Sequence, residues 1–192
     1  MILLLGDECN ITNYFKSNNI NYIITNNKFD LEFLKSNNVK FIISYKYRHI
    51  IKKNIIDLNI PIVNLHISFL PWNRGADPNL WSFLENTKKG ITIHYINEGI
   101  DTGDIIYQEE YSFDDSETLE STYIFLNNEI QKLFINNFKN IISNNCPRIK
   151  QNLNEGTLHK MKDKEVFFNK IIKNDGYNIT IKKIIELNLN NI

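Results

Sequence analysis

"FIISYKYRHIIKKNIIDLNIPIVNLH", Phe41 to His66, is the stretch that decides the fold class. It opens on the apolar run Phe41–Ser44 and closes on a second, Ile62–His66, each short enough for one strand. Between them Ile50, Ile51, Ile55 and Leu58 recur at helical spacing. Strand, helix and strand in this order predict a right-handed crossover into a parallel sheet. Runs at Ile2–Leu5 and Tyr22–Ile24 repeat the pattern toward the amino end. Helical stripes at Ile11, Tyr14, Phe15 and at Phe29, Phe33, Leu34 separate them. The chain is therefore expected to be α/β, with a doubly wound, mostly parallel, Rossmann-like sheet covered by helices on both faces.

The closing strand breaks its own pattern. Side chains alternate between faces, so Val63 and Leu65 point one way and Asn64 and His66 the other. An amide or imidazole buried without partners costs about 1–3 kcal/mol, so the pair needs internal hydrogen bonds or a wet cleft. Both readings fit the strand alone. Its carboxyl end is where open α/β sheets place ligands, which favours the cleft.

Beyond His66, Pro71, Gly75 and Pro78 interrupt regular structure, and "PNLWSFLEN" predicts a short helix from near Pro78. "GITIHYINEGIDTGDIIYQEEYSF" reads as two strands around a Gly- and Asp-rich turn that carries Asp101. An aspartate in such a turn also serves as a backbone cap, and that alternative stays open. Ser116 to Asn144 predicts one long helix with Tyr123, Leu126, Ile130, Leu133, Phe134 and Phe138 inward. The tail holds "GTLHKMKD" and two amphipathic pieces. The expected organisation is a main domain over 1–150 and a small carboxyl-terminal extension over 151–192.

The chain has 192 residues, with Lys+Arg and Asp+Glu both 22, so its formal net charge is zero. Such a balance gives no broad electrostatic attraction to nucleic acid or to a membrane surface, and neither partner is expected. "MILLLGDECN" has no basic residue before its apolar run and turns acidic at once, unlike a signal peptide or a membrane span, so a cytoplasmic protein is expected. Cys9 and Cys146 form neither a disulfide framework nor a metal-ligand spacing, and no metal is expected.

An Asn, a His and an Asp at neighbouring strand ends make a workable acyl-transfer set. The imidazole serves as base, the carboxylate orients or charges it, and the amide donates to a developing oxyanion. An amine acceptor needs no serine or cysteine nucleophile. "NLHISFLPWNRG", "HYINEGIDTGDI" and "GTLHKMKD", in this order, resemble the folate-dependent formyltransferases, and most closely their nucleotide-sugar N-formyltransferase branch. The matching positions are Asn64, His66, Leu70, Pro71, Gly75, Asp101 and Gly103, within a resemblance that runs from about Phe41 to Asp163.

The resemblance implies Asn64, His66 and Asp101 as catalytic residues and N10-formyltetrahydrofolate as donor. It implies a donor cleft between "YKYRHI", with Tyr47, Arg48 and Ile50, and the turn holding Ile96, Asn97, Gly99, Ile100 and Asp101. His49 and His94 read as structural, with nothing in the sequence pairing them with the site. For the acceptor side, the resemblance implies Trp72, Asn73, Arg74, Gly75, His159 and Lys160; Trp81, at a helix position, reads as core. The expected acceptor is a nucleotide-linked amino sugar, dTDP-4-amino-4,6-dideoxyglucose first and a 3-amino isomer close behind. The implied role is surface-polysaccharide (lipopolysaccharide O-antigen) biosynthesis by a homodimer. A tRNA formyltransferase calls for an RNA-contacting domain and a basic face that this stretch does not offer. The glycinamide enzymes carry a Gly-rich loop where "LLLGDECN" has one glycine. The alternatives are a formyltransferase acting on another small amine such as glycinamide ribonucleotide, a formyl-folate hydrolase with the same three residues, and a non-catalytic binding module on the same fold.

Overall fold

The computed structural model describes residues 1–163 and 176–189. These residues form a six-stranded sheet in the order β2-β1-β3-β4-β6-β7 and a two-stranded sheet of β5 and β8. The strands are β1 Ile2–Leu5, β2 Tyr22–Thr25, β3 Phe41–Tyr45, β4 Ile62–His66, β5 Arg74–Gly75, β6 Lys89–Tyr95, β7 Ile105–Tyr111 and β8 Leu158–His159. The helices are α1 Asn10–Ser17, α2 Leu31–Ser36, α3 Lys53–Ile56, α4 Pro78–Leu84, α5 Leu119–Asn136, α6 Phe138–Ile142 and α7 Ile181–Leu189. β1 pairs in parallel with β2 and with β3, and β3 with β4, as the alternation of strand and helix requires. Tyr95 N–H donates to the Asp104 carbonyl, and Gly90 lies against Glu109. Partner numbers thus fall on β7 as they rise on β6, so these two strands run antiparallel. The expected fold class is the observed one.

The described residues gather into two compact units. The first comprises Met1–His66, Ile93–Tyr107 and Gln131–Lys150. Its sheet is covered on both faces, which is why β1 and β3 read as unbroken apolar runs. On one face Leu3, Leu5 and Ile42 pack with Leu34 and Val39 from the α2 region and with Ile51, Ile55 and Ile62. On the other, α1 meets α6 through Tyr14–Phe138 and Phe15–Phe138 ring pairs, both with centroids 5.5 Å apart. Each fully buried aliphatic side chain contributes about 1.5–3 kcal/mol, so the sheet is anchored from both sides. Asp30 starts α2 by accepting the Phe33 N–H at 2.9 Å. The order reverses between β1 and β3. At that reversal a cavity of about 260 Å³ is lined by Asp7, Glu8, Cys9, Asn10, Tyr45, Lys46 and Gln131.

The second unit comprises Ile67–Thr92, Gln108–Ile130 and residues from Gln151 onward. Its core joins Leu80, Trp81, Phe83 and Leu84 of α4 to Leu119, Ile179, Ile181 and Ile184. The tail therefore contributes α7 against α4, and β8 beside β5. Of its two expected amphipathic pieces, the one following Lys164 lies outside the described residues, and the other is α7.

Three local expectations are corrected. Ile50 is 91% exposed, because regular helix begins only at Lys53 and Ile50 falls in the preceding loop. The long helix divides at Asn137 into α5 and α6. Along it Leu126, Ile130, Leu133, Phe134 and Phe138 are buried as expected, whereas Tyr123 is 41% exposed. No described helix is long and apolar enough to cross a membrane.

Candidate active site

Asn64 and His66 share a face of β4, and both turn toward Asp101. The Asn64 amide nitrogen lies 3.2 Å from Asp101 Oδ1, and His66 Nδ1 lies 3.7 Å from Asp101 Oδ2. The structure thus brings together the three residues that the sequence singles out. His66 is buried and the Asp101 side chain nearly so, which removes much of the water that would otherwise screen their attraction.

Asp101 owes its place to the turn between β6 and β7. Its own backbone is left-handed, with φ 49°, a region where aspartate is among the better tolerated residues. The Asn97 side-chain oxygen shapes the turn by accepting the Gly99 N–H at 3.1 Å and the Thr102 hydroxyl at 2.6 Å. A methyl group on Gly99 would overlap Thr102, and one on Gly103 would overlap the Tyr95 carbonyl. Both glycines are required by close approach, and the bond from Tyr95 N–H to Asp104 closes the turn.

A fourth residue completes the group. His94 Nε2 lies 3.2 Å from the Asn64 amide nitrogen and 3.4 Å from Asp101 Oδ1, and its Nδ1 lies 2.8 Å from the Tyr95 carbonyl. A carbonyl only accepts, so Nδ1 carries the proton and Nε2 of the neutral ring offers a lone pair. The two N–H groups of Asn64 are then directed at two acceptors, His94 and Asp101. His94 is therefore not apart from the site, as the sequence reading has it. The signal that could have found it is alternation along "ITIHY", which puts His94 on one face of a strand next to β4. Chemically, the cluster offers an imidazole beside a carboxylate for moving a proton, and an amide held in a fixed plane.

Residues of the expected donor cleft line a cavity of about 480 Å³. Its walls are Lys28, Phe29, Tyr47 to Lys52 and Ile55. The Tyr47 hydroxyl donates to the Asn27 carbonyl at 2.9 Å, and burial raises its pKa above the ordinary phenol value. His49 packs edge-on against Tyr47, with ring centroids 5.2 Å apart. Across the turn, Ile96 packs on the α2–α3 core while Asn97, Gly99 and Ile100 are exposed. Lys53 pairs with Glu98, tying that turn to the start of α3.

The expected acceptor residues divide. Trp72, Arg74 and Gly75 are partly exposed and Lys160 is exposed. Asn73 has no exposed surface, and its side chain is committed to Thr87 and Thr157, so it shapes the loop instead of presenting an amide. His159 stacks on Trp81, with centroids 3.9 Å apart and rings 6° from parallel, and its Nε2 lies 3.1 Å from Glu85. That ring is a packing element in this structure, as is the core residue Trp81 beneath it.

The pattern of a formyl transferase matches residues 12–137. The methionyl-tRNA formyltransferase of Clostridium tetani is 30% identical over 138 residues, which cover 71% of this chain and 44% of that protein. The chain thus spans about half the length of the curated relatives it matches. The formyltransferase PseJ from Anoxybacillus kamchatkensis, solved in complex with UDP-4,6-dideoxy-4-formamido-L-AltNAc and tetrahydrofolate, is 43% identical. Its TM-score is 0.87, over 96% of this chain and 97% of that one. The N-formyltransferase from Helicobacter canadensis, in complex with folinic acid and dTDP-3-aminofucose, shares the fold at TM-score 0.69 and 24% identity, covering 84% of this chain and 71% of that one. With two thirds of its length matched by the family and its Asn64, His66 and Asp101 gathered at one strand end, the chain belongs to the formyl transferase family.

Proposed function

We propose that the protein transfers a formyl group from N10-formyltetrahydrofolate to the primary amine of a nucleotide-linked 4-amino-4,6-dideoxy sugar. The observation that carries this reading is the likeness to PseJ, which extends over 96% of this chain and concerns a structure holding tetrahydrofolate and a UDP-linked 4-formamido sugar. That ligand favours a UDP-linked acceptor over dTDP-4-amino-4,6-dideoxyglucose. Both candidates carry the amine at the same sugar position.

The cavity at Tyr47 to Lys52 suits the donor in size and chemistry. At about 480 Å³ it falls within the range that holds cofactor-sized ligands. Phe29 and Tyr47 offer aromatic surface, and Lys28, Arg48 and Lys52 offer cations for the carboxylates of a folate tail. The turn from Ile96 to Asp101 does not line that cavity; in this proposal it meets the donor beyond it, on the side tied to α3 through Glu98 and Lys53. When bound, the donor supplies the formyl carbon on which the amine acts.

In this reading His66 accepts the proton that the attacking amine loses, Asp101 steadies the resulting imidazolium, and that proton is returned to the folate N10 as its bond to the formyl carbon breaks and tetrahydrofolate leaves. Asn64 directs an N–H at the oxygen of the group being transferred. It does so by exchanging its bond to Asp101 while His94 keeps the other N–H and so holds the amide plane. Trp72, Arg74, Gly75 and Lys160 bind the nucleotide end of the acceptor, where remote binding energy positions the amine. A homodimer in the cytoplasm and a place in surface-polysaccharide assembly belong to the same proposal.

The test is to incubate purified protein with N10-formyltetrahydrofolate and, in separate reactions, a UDP-linked 4-amino-4,6-dideoxy sugar, its dTDP counterpart, methionyl-tRNA, or no acceptor. Tetrahydrofolate release only with a nucleotide-linked amino sugar is the expected result. Release without any amine makes the protein a hydrolase, release with methionyl-tRNA alone makes it a tRNA enzyme, and no release in any arm makes it a binding module. Each of those three results overturns the proposal.

A further inference from the structure

We propose that Gly156 to His159 form a positioning clamp for the loop Trp72–Gly75, with Thr157 as its pivot. The proposal rests on the reading that this loop binds the acceptor.

The loop's backbone is irregular. Asn73, Gly75 and Asp77 have φ of 56°, 88° and 51°, so left-handed conformations recur at every second residue. Asn and Asp tolerate this region better than other non-glycine residues, but three such positions in five still carry a conformational cost that partners must offset. Among the described residues, much of that offset comes from the 156–159 segment. The Thr157 hydroxyl accepts the Asn73 N–H at 2.9 Å and donates to the Asn73 side-chain oxygen at 3.3 Å. The Thr157 carbonyl accepts Arg74 N–H at 3.0 Å and Arg74 Nε–H at 3.3 Å. β5 and β8 then pair in parallel, Arg74 with Leu158 and Gly75 with His159, and the Ala76 N–H donates to the His159 carbonyl at 2.9 Å.

The fit is tight at both ends. A methyl group on Gly75 would overlap the His159 carbonyl oxygen, and one on Gly156 would overlap that of Pro71. The clamp is itself anchored, because the His159 ring lies flat on Trp81 in the α4 core. Its consequence for recognition is specific. The Nε bond restrains the Arg74 guanidinium, and the bonds to Asn73 fix the backbone between Trp72 and Arg74. A ligand meeting these groups finds them already ordered, which lowers the entropy lost on binding. Thr157 is thus a positioning residue: it acts through Asn73 and Arg74.

The experiment compares Thr157→Val, Thr157→Ala and Thr157→Ser with the wild-type protein in steady-state formyl transfer, varying nucleotide-linked amino sugar and donor separately. Both substitutions that remove the hydroxyl are expected to raise the acceptor KM by about 10-fold, the effect of losing one to two net hydrogen bonds. The donor KM and kcat are expected to stay within about 2-fold, and Thr157→Ser is expected to restore the acceptor KM. Thr157→Ala carries the same expectation should the valine variant not fold. An acceptor KM within about 2-fold of wild type in the hydroxyl-free variants overturns the clamp, and so does a fall in kcat at unchanged acceptor KM. Wild-type protein that formylates no nucleotide-linked amino sugar overturns instead the reading on which the clamp rests, and that result is seen before any variant is made.

Discussion

His94 offers a substitution pair in which each change removes one of its two bonds. The ring donates through Nδ1 to the Tyr95 carbonyl at 2.8 Å and meets the Asn64 amide through Nε2 at 3.2 Å. The side-chain amide of asparagine reaches about where Nδ1 sits, and that of glutamine about where Nε2 sits. His94→Asn therefore keeps the backbone bond and frees Asn64, whereas His94→Gln holds Asn64 and releases the Tyr95 carbonyl. Removing one oxyanion donor outright costs about 10²–10³ in kcat, and in the role proposed for Asn64 the Asn64→Ala substitution sets that ceiling. His94→Asn is expected to approach the ceiling, because an amide free to rotate no longer presents its N–H in one direction. His94→Gln is expected to stay within about 10-fold of wild type in kcat but to lose about 0.5–1.5 kcal/mol of stability, the worth of one internal hydrogen bond. For a chain of this size that corresponds to a melting point lower by about 1–6 °C. Formyl transfer rates at saturating substrate and thermal melts of both variants decide the matter. Equal kcat in the two variants, or a wild-type rate for His94→Asn, refutes the idea that His94 holds the amide plane.

Two further outcomes follow from close packing and burial. Gly103→Ala forces a methyl group onto the Tyr95 carbonyl beside the turn that carries Asp101. It is expected to cost about 1–3 kcal/mol of stability and at least about 10² in kcat/KM; a variant with wild-type melting and kinetics counts against the assigned geometry. Burial pushes the Cys146 thiol above its ordinary pKa, more than the nearby Tyr107 hydroxyl pulls it down, so its alkylation followed by mass spectrometry should be slow at neutral pH and quicken only in more alkaline buffer. Rapid labelling of Cys146 at pH 7 contradicts that environment.

The parallel sheet was legible in the sequence because its signals are local. A strand buried on both faces must be apolar throughout, and Leu3, Leu4, Ile42 and Ile43, all fully buried, say so within a few residues of chain. The same local logic placed Asn64 and His66 on one strand face and Asp101 in a turn, through two-residue alternation and turn chemistry. Resemblance supplied the order of the motifs and, with it, the family. Local pattern misjudged Ile50, because an apolar residue in a loop and one in a helical stripe look alike until the helix start is known.

What the tertiary structure decided is which polar groups are already committed. The resemblance implied Asn73 and His159 as acceptor-side residues. Folded, Asn73 is bound to Thr87 and Thr157, and His159 lies on Trp81. Conversely His94 joined the site and Thr157 became a pivot, through partners 30 residues away at Asn64 and 84 residues away at Asn73. The physical reason is common to all four. Hydrogen-bond partners across strands and loops are fixed by register and by the path of the chain, and these are settled by the balance of the whole core, so no single stretch of sequence states them.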